Sequence, residues 1–232
     1  MHTDSTDWLP FLLQTGDPLF PTGAYAHSLG LEEIVRLGLV KDETTLLDFL
    51  KNQIIPGLAH LELPYLRYAY EAAQRSDMES LCALDLEISA WKIPHELREA
   101  STQLGVRRLR MLMVLFPGEL LSQFEAKISA QHANGHHLVI YVLQMTAQNV
   151  PLRAALLAYL YQSLAGFSSA ALKLIRIGQE GCQRVLKSAL ENAGTCVETS
   201  LAIKREEAGW FNPLLEIAAM RHERANERLF IS

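Results

Sequence analysis

The chain has 232 residues, 49% hydrophobic and 20% charged, with a net charge of −5 from 21 basic and 26 acidic side chains. That length supports a core without staples and excludes wholesale disorder and fibrous repeats. An acidic balance with no basic run excludes sequence-independent nucleic-acid binding, which needs a positive field to displace counterions. Forty Leu and 26 Ala stand against nine Val, and Leu and Ala lose little side-chain freedom in helices, so composition favours an all-α fold.

In chain order, helices are expected over 7–15, 26–37, 43–55, 64–75, 78–91, 94–115, 117–131, 138–149, 151–176, 179–192, 195–207 and 213–226. Some of these merge or shorten, which leaves about ten helices in one globular domain spanning 1–232. Pro64, Pro94, Pro117, Pro151 and Pro213 each stand before a helix-like segment, where a missing N–H costs nothing. Asn212-Pro213 reads as a cap and first position, and Asp77 and Thr195 are further candidate caps. Stops are expected near Gly38, Gly57, Gly105 or Gly118, Gly135, Gly178 and Gly194. Leu138–Leu143 is the best strand candidate, but it is isolated and reads as a buried helix.

Between Arg153 and Lys173 lie 19 residues without a charge, long enough to span a bilayer. Leu152, Leu156, Tyr159, Leu160, Leu164 and Phe167 instead recur at the spacing of a core-facing helix, and Gln162, Ser163, Ser168 and Ser169 interrupt the run, so no membrane span is expected. Cys82, Cys182 and Cys196 are odd in number, widely spaced and without a CxxC, which fits free thiols in a reducing compartment. The segment 1–7 lacks the basic region of a signal peptide, so a cytoplasmic protein is expected.

Four segments could carry chemistry. Phe20-Pro21-Thr22-Gly23 is a turn signal that leads into Tyr25-Ala26-His27-Ser28-Leu29-Gly30. This only partly matches the strand-borne nucleophile elbow Gly-x-Ser-x-Gly, since Ala26 replaces the first Gly and no strand precedes it. His27 and Ser28, adjacent on a helix, diverge by about 100°, so they read as a cap and filler of a helix start. His132, His136 and His137 form the only histidine cluster, but Asn134-Gly135 breaks the helix that an i, i+4 chelate would need. On the segment that begins Pro94-His95-Glu96, the residues Arg98, Ser101 and Gly105 share one face. The tail Arg228-Leu229-Phe230-Ile231-Ser232 is largely apolar and must fold back or dock on a partner. Arg107, Arg108 and Arg110 read as a solvated helix face.

Taken together, these blocks resemble the urease accessory protein family UreF. The resemblance is carried by Leu12-Leu13-Gln14 through Asp17, Phe20–Gly23, His27-Ser28 and Gly30-Leu31-Glu32, and then by Glu96-Leu97-Arg98, Ala100-Ser101 and Leu104-Gly105. It continues through His136-His137, Pro151-Leu152, Ala155–Tyr159 and Gly178-Gln179, and ends on His222-Glu223, Arg228-Leu229-Phe230 and Ser232. The chain departs from the family pattern at Ala24, Thr15-Gly16 and Arg176.

The resemblance implies a helical, homodimeric, non-enzymatic chaperone without a tightly bound cofactor. It would join the accessory protein UreD/UreH and the GTPase UreG on the urease apoprotein. Nickel would be the cargo, and GTP would belong to the partner. Partner-binding residues implied are Tyr25, His27, Ser28, Glu32, Glu96, Arg98, Arg228, Leu229 and Phe230. The tail, about 224–232, would be mobile until it docks, with Arg228 meeting Tyr25. Arg98 and Arg228 are candidates for an arginine that stabilises phosphoryl charge in the partner's site. Two alternatives stay open on the residues alone: a helical hydrolase using Ser28 or a histidine-bound metal, and a nickel store using His132, His136 and His137.

Overall fold

The computed structural model describes residues 6–17, 19–23 and 27–232. The fold is all-α, and no strand occurs among the described residues. The helices are α1 (Leu9–Gly16), α2 (Leu31–Arg36), α3 (Glu43–Phe49), α4 (Ile55–Gly57), α5 (Leu63–Gln74), α6 (Met78–Trp91), α7 (His95–Leu115), α8 (Glu119–Ser129), α9 (His137–Ala147), α10 (Leu152–Leu174), α11 (Gln179–Leu190), α12 (Ala193–Ala202) and α13 (Pro213–Glu223).

The helices expected over 43–55 and 64–75 are one continuous run, 43–74. Two π turns, Leu50–Ile54 and Leu58–Glu62, join α3, α4 and α5. The Ile55 N–H reaches back to the Leu50 carbonyl, and the Leu63 N–H to that of Leu58, five residues in each case. Each π turn therefore ends two residues ahead of a proline, Pro56 or Pro64. An ordinary helix there would press the proline ring onto the carbonyl four residues back, and a widened turn relieves that clash. Gly57 accordingly ends nothing. The expected helix 26–37 forms only from Leu31, because Leu29 and Gly30 take left-handed backbone (φ 51° and 90°). Asp77 and Asn212 cap α6 and α13 through Ser80 and Leu215 N–H, whereas Thr195 lies inside α12.

Helix α9 sits at the centre. Leu138 through Met145 are all buried, so the segment that could have been a strand is the innermost helix. It crosses α7 and packs on α5, with α6 and α10 beside it. Among the described residues only α10 is long and apolar enough to cross a membrane, and half of its most apolar window is buried in the protein. The buried part is the stripe Leu156, Tyr159, Leu160, Leu164 and Phe167, together with Ala170 and Ala171.

The α7–α9 crossing is close because Gly105 has no side chain. A Cβ there would overlap the Gly135 carbonyl oxygen and lie 2.8 Å from His137 N. Gly105 is therefore an interior contact and not the end of a helix. Asp85 on α6, fully buried, accepts the N–H groups of Asn134, Gly135 (3.1 Å) and His136 (2.7 Å), and so fixes the loop that starts α9. Burial pushes its carboxyl up, and those three amides oppose the shift.

Candidate functional site

The turn before α2, the first turn of α7, the last turn of α13 and the segment 228–232 meet at one place. Gly30 lets α2 start directly over α13, with Leu215 O and Ala219 N 3.7 and 3.8 Å from where its Cβ would stand. Glu32 then faces the tail. Its carboxylate accepts the Leu229 N–H at 2.7 Å and the Phe230 N–H at 3.0 Å. His222 on α13 is 2% exposed. Its Nδ1 lies 3.0 Å from both oxygens of Glu96, and its Nε2 lies 3.0 Å from Glu32 Oε2. Arg228 donates to Glu96 at 3.3 Å.

Burial is the largest single influence on the Glu32 carboxyl and pushes it up. The Leu229 amide, His222 and the Phe230 amide together outweigh it and hold the group below the usual carboxylate range. Beside it, Glu33 is buried and pairs with Arg36 and Arg221. Arg36 pulls its carboxyl down, burial opposes, and Arg221 adds to the lowering.

The end of the tail closes onto the N-terminal signature. The Ser28 and Leu29 N–H groups donate to the Ser232 main-chain oxygen, the latter at 3.1 Å, and His27 Nδ1 lies 2.6 Å from Ser232 Oγ. Burial, then the Arg107 charge, depress the His27 pKa. The Phe230 ring is buried, with Lys173 Nζ 5.1 Å from its centroid, while Leu229 and Ile231 are 62% and 57% exposed. Within the tail 224–232, expected to be mobile until docked, residues 228–232 rest here on α2, on α7 and on the N-terminal signature. Tyr25, and with it the expected contact to Arg228, lies outside the described residues.

The other candidates are placed elsewhere. Arg98 donates to the carbonyls of Lys92 and Ile93 at 2.7 and 2.6 Å, closing the end of α6. Its helix-face companions Ser101 and Gly105 seat the loop before α9, with Ser101 Oγ 3.0 Å from His136 Nδ1. The Ser28 hydroxyl is buried and faces the Glu32 N–H at 3.4 Å, and His27 is occupied by Ser232, so among the described residues no base stands on Ser28.

His132 is exposed. His136 is buried, and burial, then Lys92 and Arg98, push its pKa down to about 4. His137 stacks on Tyr159, and burial, then Arg108 and Lys92, push its pKa down to about 3. No group of three or more His, Cys, Asp or Glu side chains among the described residues is placed to hold a metal ion.

The reading of Arg107, Arg108 and Arg110 as a solvated face needs correction. Arg108 is 2% exposed, donates to Thr15 O at 2.8 Å and lies 5.4 Å from the ring centroids of both Phe20 and Tyr141. Burial pushes its pKa down to about 10, against the opposing pull of Tyr141 and Tyr159. It is a buried strut beneath the N-terminal signature.

His222, Asp85 and Arg108 were not singled out individually from the sequence. A signal for them existed. Each occupies a core register position on its helix: Leu81, Leu84, Asp85, Ile88; Ser101, Leu104, Gly105, Arg108; Leu215, Ala218, Ala219, His222. A charged or titratable group on an apolar stripe needs partners from another element.

The family model UreF matches residues 40–190. The urease accessory protein UreF of Arthrobacter sp. (strain FB24) is 33% identical over 221 residues, which is 95% of this chain and 96% of that protein. The chain belongs to the UreF family. The family's proteins from Actinobacillus pleuropneumoniae and Bacillus sp. (strain TB-90) are 30% and 29% identical over the same length, covering 95% of this chain and 97% of each of them. As a UreF-family protein the chain is an accessory protein of urease and not itself a catalyst. The pairing of tail and N-terminal signature lies outside the 40–190 match.

Proposed function

We propose that this chain is a nickel-insertion chaperone that holds UreD/UreH and UreG on the urease apoprotein and couples GTP hydrolysis by UreG to nickel delivery. It works in the cytoplasm as a homodimer, carries no tightly bound cofactor and passes nickel on as cargo. One observation carries the reading. The two blocks that resemble the family's signatures, Phe20–Glu32 and 222–232, are far apart in sequence yet share hydrogen bonds through Glu32, Ser28 and Ser232. That contact presents Leu229 and Ile231 outward as apolar anchors.

Of the two arginines considered for the partner's phosphoryl charge, Arg228 is 40% exposed and rests on one carboxylate, whereas Arg98 is occupied by two carbonyls. Arg228 is therefore the residue assigned that contact. The test is co-purification of UreD/UreH and UreG with wild-type chain and with Leu229→Asp/Ile231→Asp, alongside urease activation in cells. Loss of both partner recovery and activation supports the scaffold. Unchanged recovery and activation reject it. An unchanged GTP hydrolysis rate in the complex of Arg228→Ala rejects the arginine assignment alone.

A further inference from the structure

The tail contact contains a geometry that one protonation state satisfies. His222 is almost fully buried, and each of its ring nitrogens stands 3.0 Å from a carboxylate oxygen, Glu96 on one side and Glu32 on the other. An ionised carboxylate only accepts. A neutral imidazole has one N–H, so one nitrogen lone pair would face an anion; the imidazolium donates to both sides.

The charged groups around the ring come from every element packed on it. Helix α2 gives Glu32 and Glu33, the latter paired with Arg36 and Arg221; α7 gives Glu96; the tail gives Arg228. His95 and Glu223 pair at the surface alongside. Around the ring three carboxylates, Glu32, Glu33 and Glu96, face three guanidiniums, Arg36, Arg221 and Arg228. The demand for a charged ring therefore comes from the two carboxylates that its nitrogens face directly.

We propose that His222 is a proton-operated pin for the tail. Charged, the ring holds Glu32 where it receives the Leu229 and Phe230 amides and ties α2 to α7. Neutral, it repels one of the two carboxylates, and the seat for residues 228–232 loosens. Glu32, held low by the same bonds, sets the opposite limit in acid. The tail is seated while Glu32 is ionised and the ring is charged, and it loosens when either condition is lost. The biological meaning rests on the scaffold reading above: a partner that recognises the seated tail takes up a proton on binding wherever the free ring is neutral. The pin itself is a property of the chain alone.

The experiment measures amide hydrogen exchange of the tail in the full chain, without partners, between about pH 5.5 and about pH 8.5. Rates are normalised to an unstructured peptide at each pH. Protection at Leu229 and Phe230 is expected to fall by about tenfold or more from the acid to the alkaline end of that range, the loss of one charge-assisted hydrogen bond. In His222→Gln, which has a single amide donor side, protection is expected to be low and independent of pH.

Nitrogen NMR of the wild-type ring keeps the test decisive if that variant does not fold. Two protonated ring nitrogens at the pH where the tail is protected support the pin. A neutral ring there, or wild-type protection that stays flat over the range, overturns it. Failure of this experiment leaves the scaffold standing. Normal proton response with no partner capture rejects the scaffold and leaves the pin.

Discussion

Replacing Gly105 by alanine adds one methyl group at the α7–α9 crossing. The added carbon would overlap the Gly135 carbonyl and stand 2.8 and 2.9 Å from His137 N and His136 C. All three obstacles are backbone, so no side chain can rotate away. The helix and the loop must separate by about 1 Å before carbon contacts return to their usual distances. That loop is held by the three amides on Asp85 and by Ser101 on His136, and a displacement of this size stretches them. Hydrogen bonds to a charged group contribute about 1.5–3 kcal/mol each. Alanine's better helix propensity offsets roughly 1 kcal/mol. A net loss of about 3–5 kcal/mol is expected, read as a shift of the urea midpoint at constant slope.

Gly166→Ala is the matched control. Gly166 is exposed inside α10, and nothing lies within 4 Å of its added carbon. There the same methyl should stabilise by about 0.5–1 kcal/mol. If the two variants move the midpoint in the same direction, or Gly105→Ala stays within about 1 kcal/mol of wild type, the close approach of α7 to the 134–137 loop is wrong.

Three further outcomes can be checked. Arg98→Ala leaves the Lys92 and Ile93 carbonyls without their donor and should cost about 1–2 kcal/mol in chemical denaturation, with the side chain's partial exposure keeping the loss small. Glu33 has its pKa lowered in the fold, so its contribution is present above the unfolded carboxyl's value and fades as pH falls through the folded one. The stability gap between wild type and Glu33→Gln should therefore be widest near neutrality and close in acid, as thermal scans across pH would show. Burial pushes the Cys196 thiol up to about 11 and leaves it 8% exposed, while Cys82 is half-buried. A thiol reagent at mildly alkaline pH should label Cys82 well before Cys196.

Much of the fold was legible because leucine and alanine dominate and because proline, glycine and asparagine mark helix ends. Asn212-Pro213 and Asp77 are placed as caps where the sequence puts them. The run 43–74 was misread because its buried positions Leu46, Leu50, Ile54, Leu58 and Leu63 step by four or five residues. At 3.6 residues per turn that series drifts around a helix, and only the wider π turns bring it back to one face.

Of the site, Glu32, Glu96, Arg228, Phe230, His27 and Ser28 could be named from block resemblance, and they come together in space. Their hub, His222, stands in one of the same blocks and on the buried stripe of α13, but its two acid partners lie 190 and 126 residues away, so spacing could not show what it joins. Arg98 was named beside them, but it serves the end of α6 because its own turn places it near Lys92 and Ile93.

The last residues of the chain alternate. Phe230 and Ser232 turn inward to the body, and Leu229 and Ile231 turn to the outside. The segment therefore carries two messages written on odd and even positions, one addressed to its own fold and the other to whatever meets the surface. Its parity is constrained as well as its composition. Inserting or deleting a single residue between His222 and Leu229 would exchange the two readerships, exposing the aromatic anchor and burying the aliphatic pair, even though every original side chain remained.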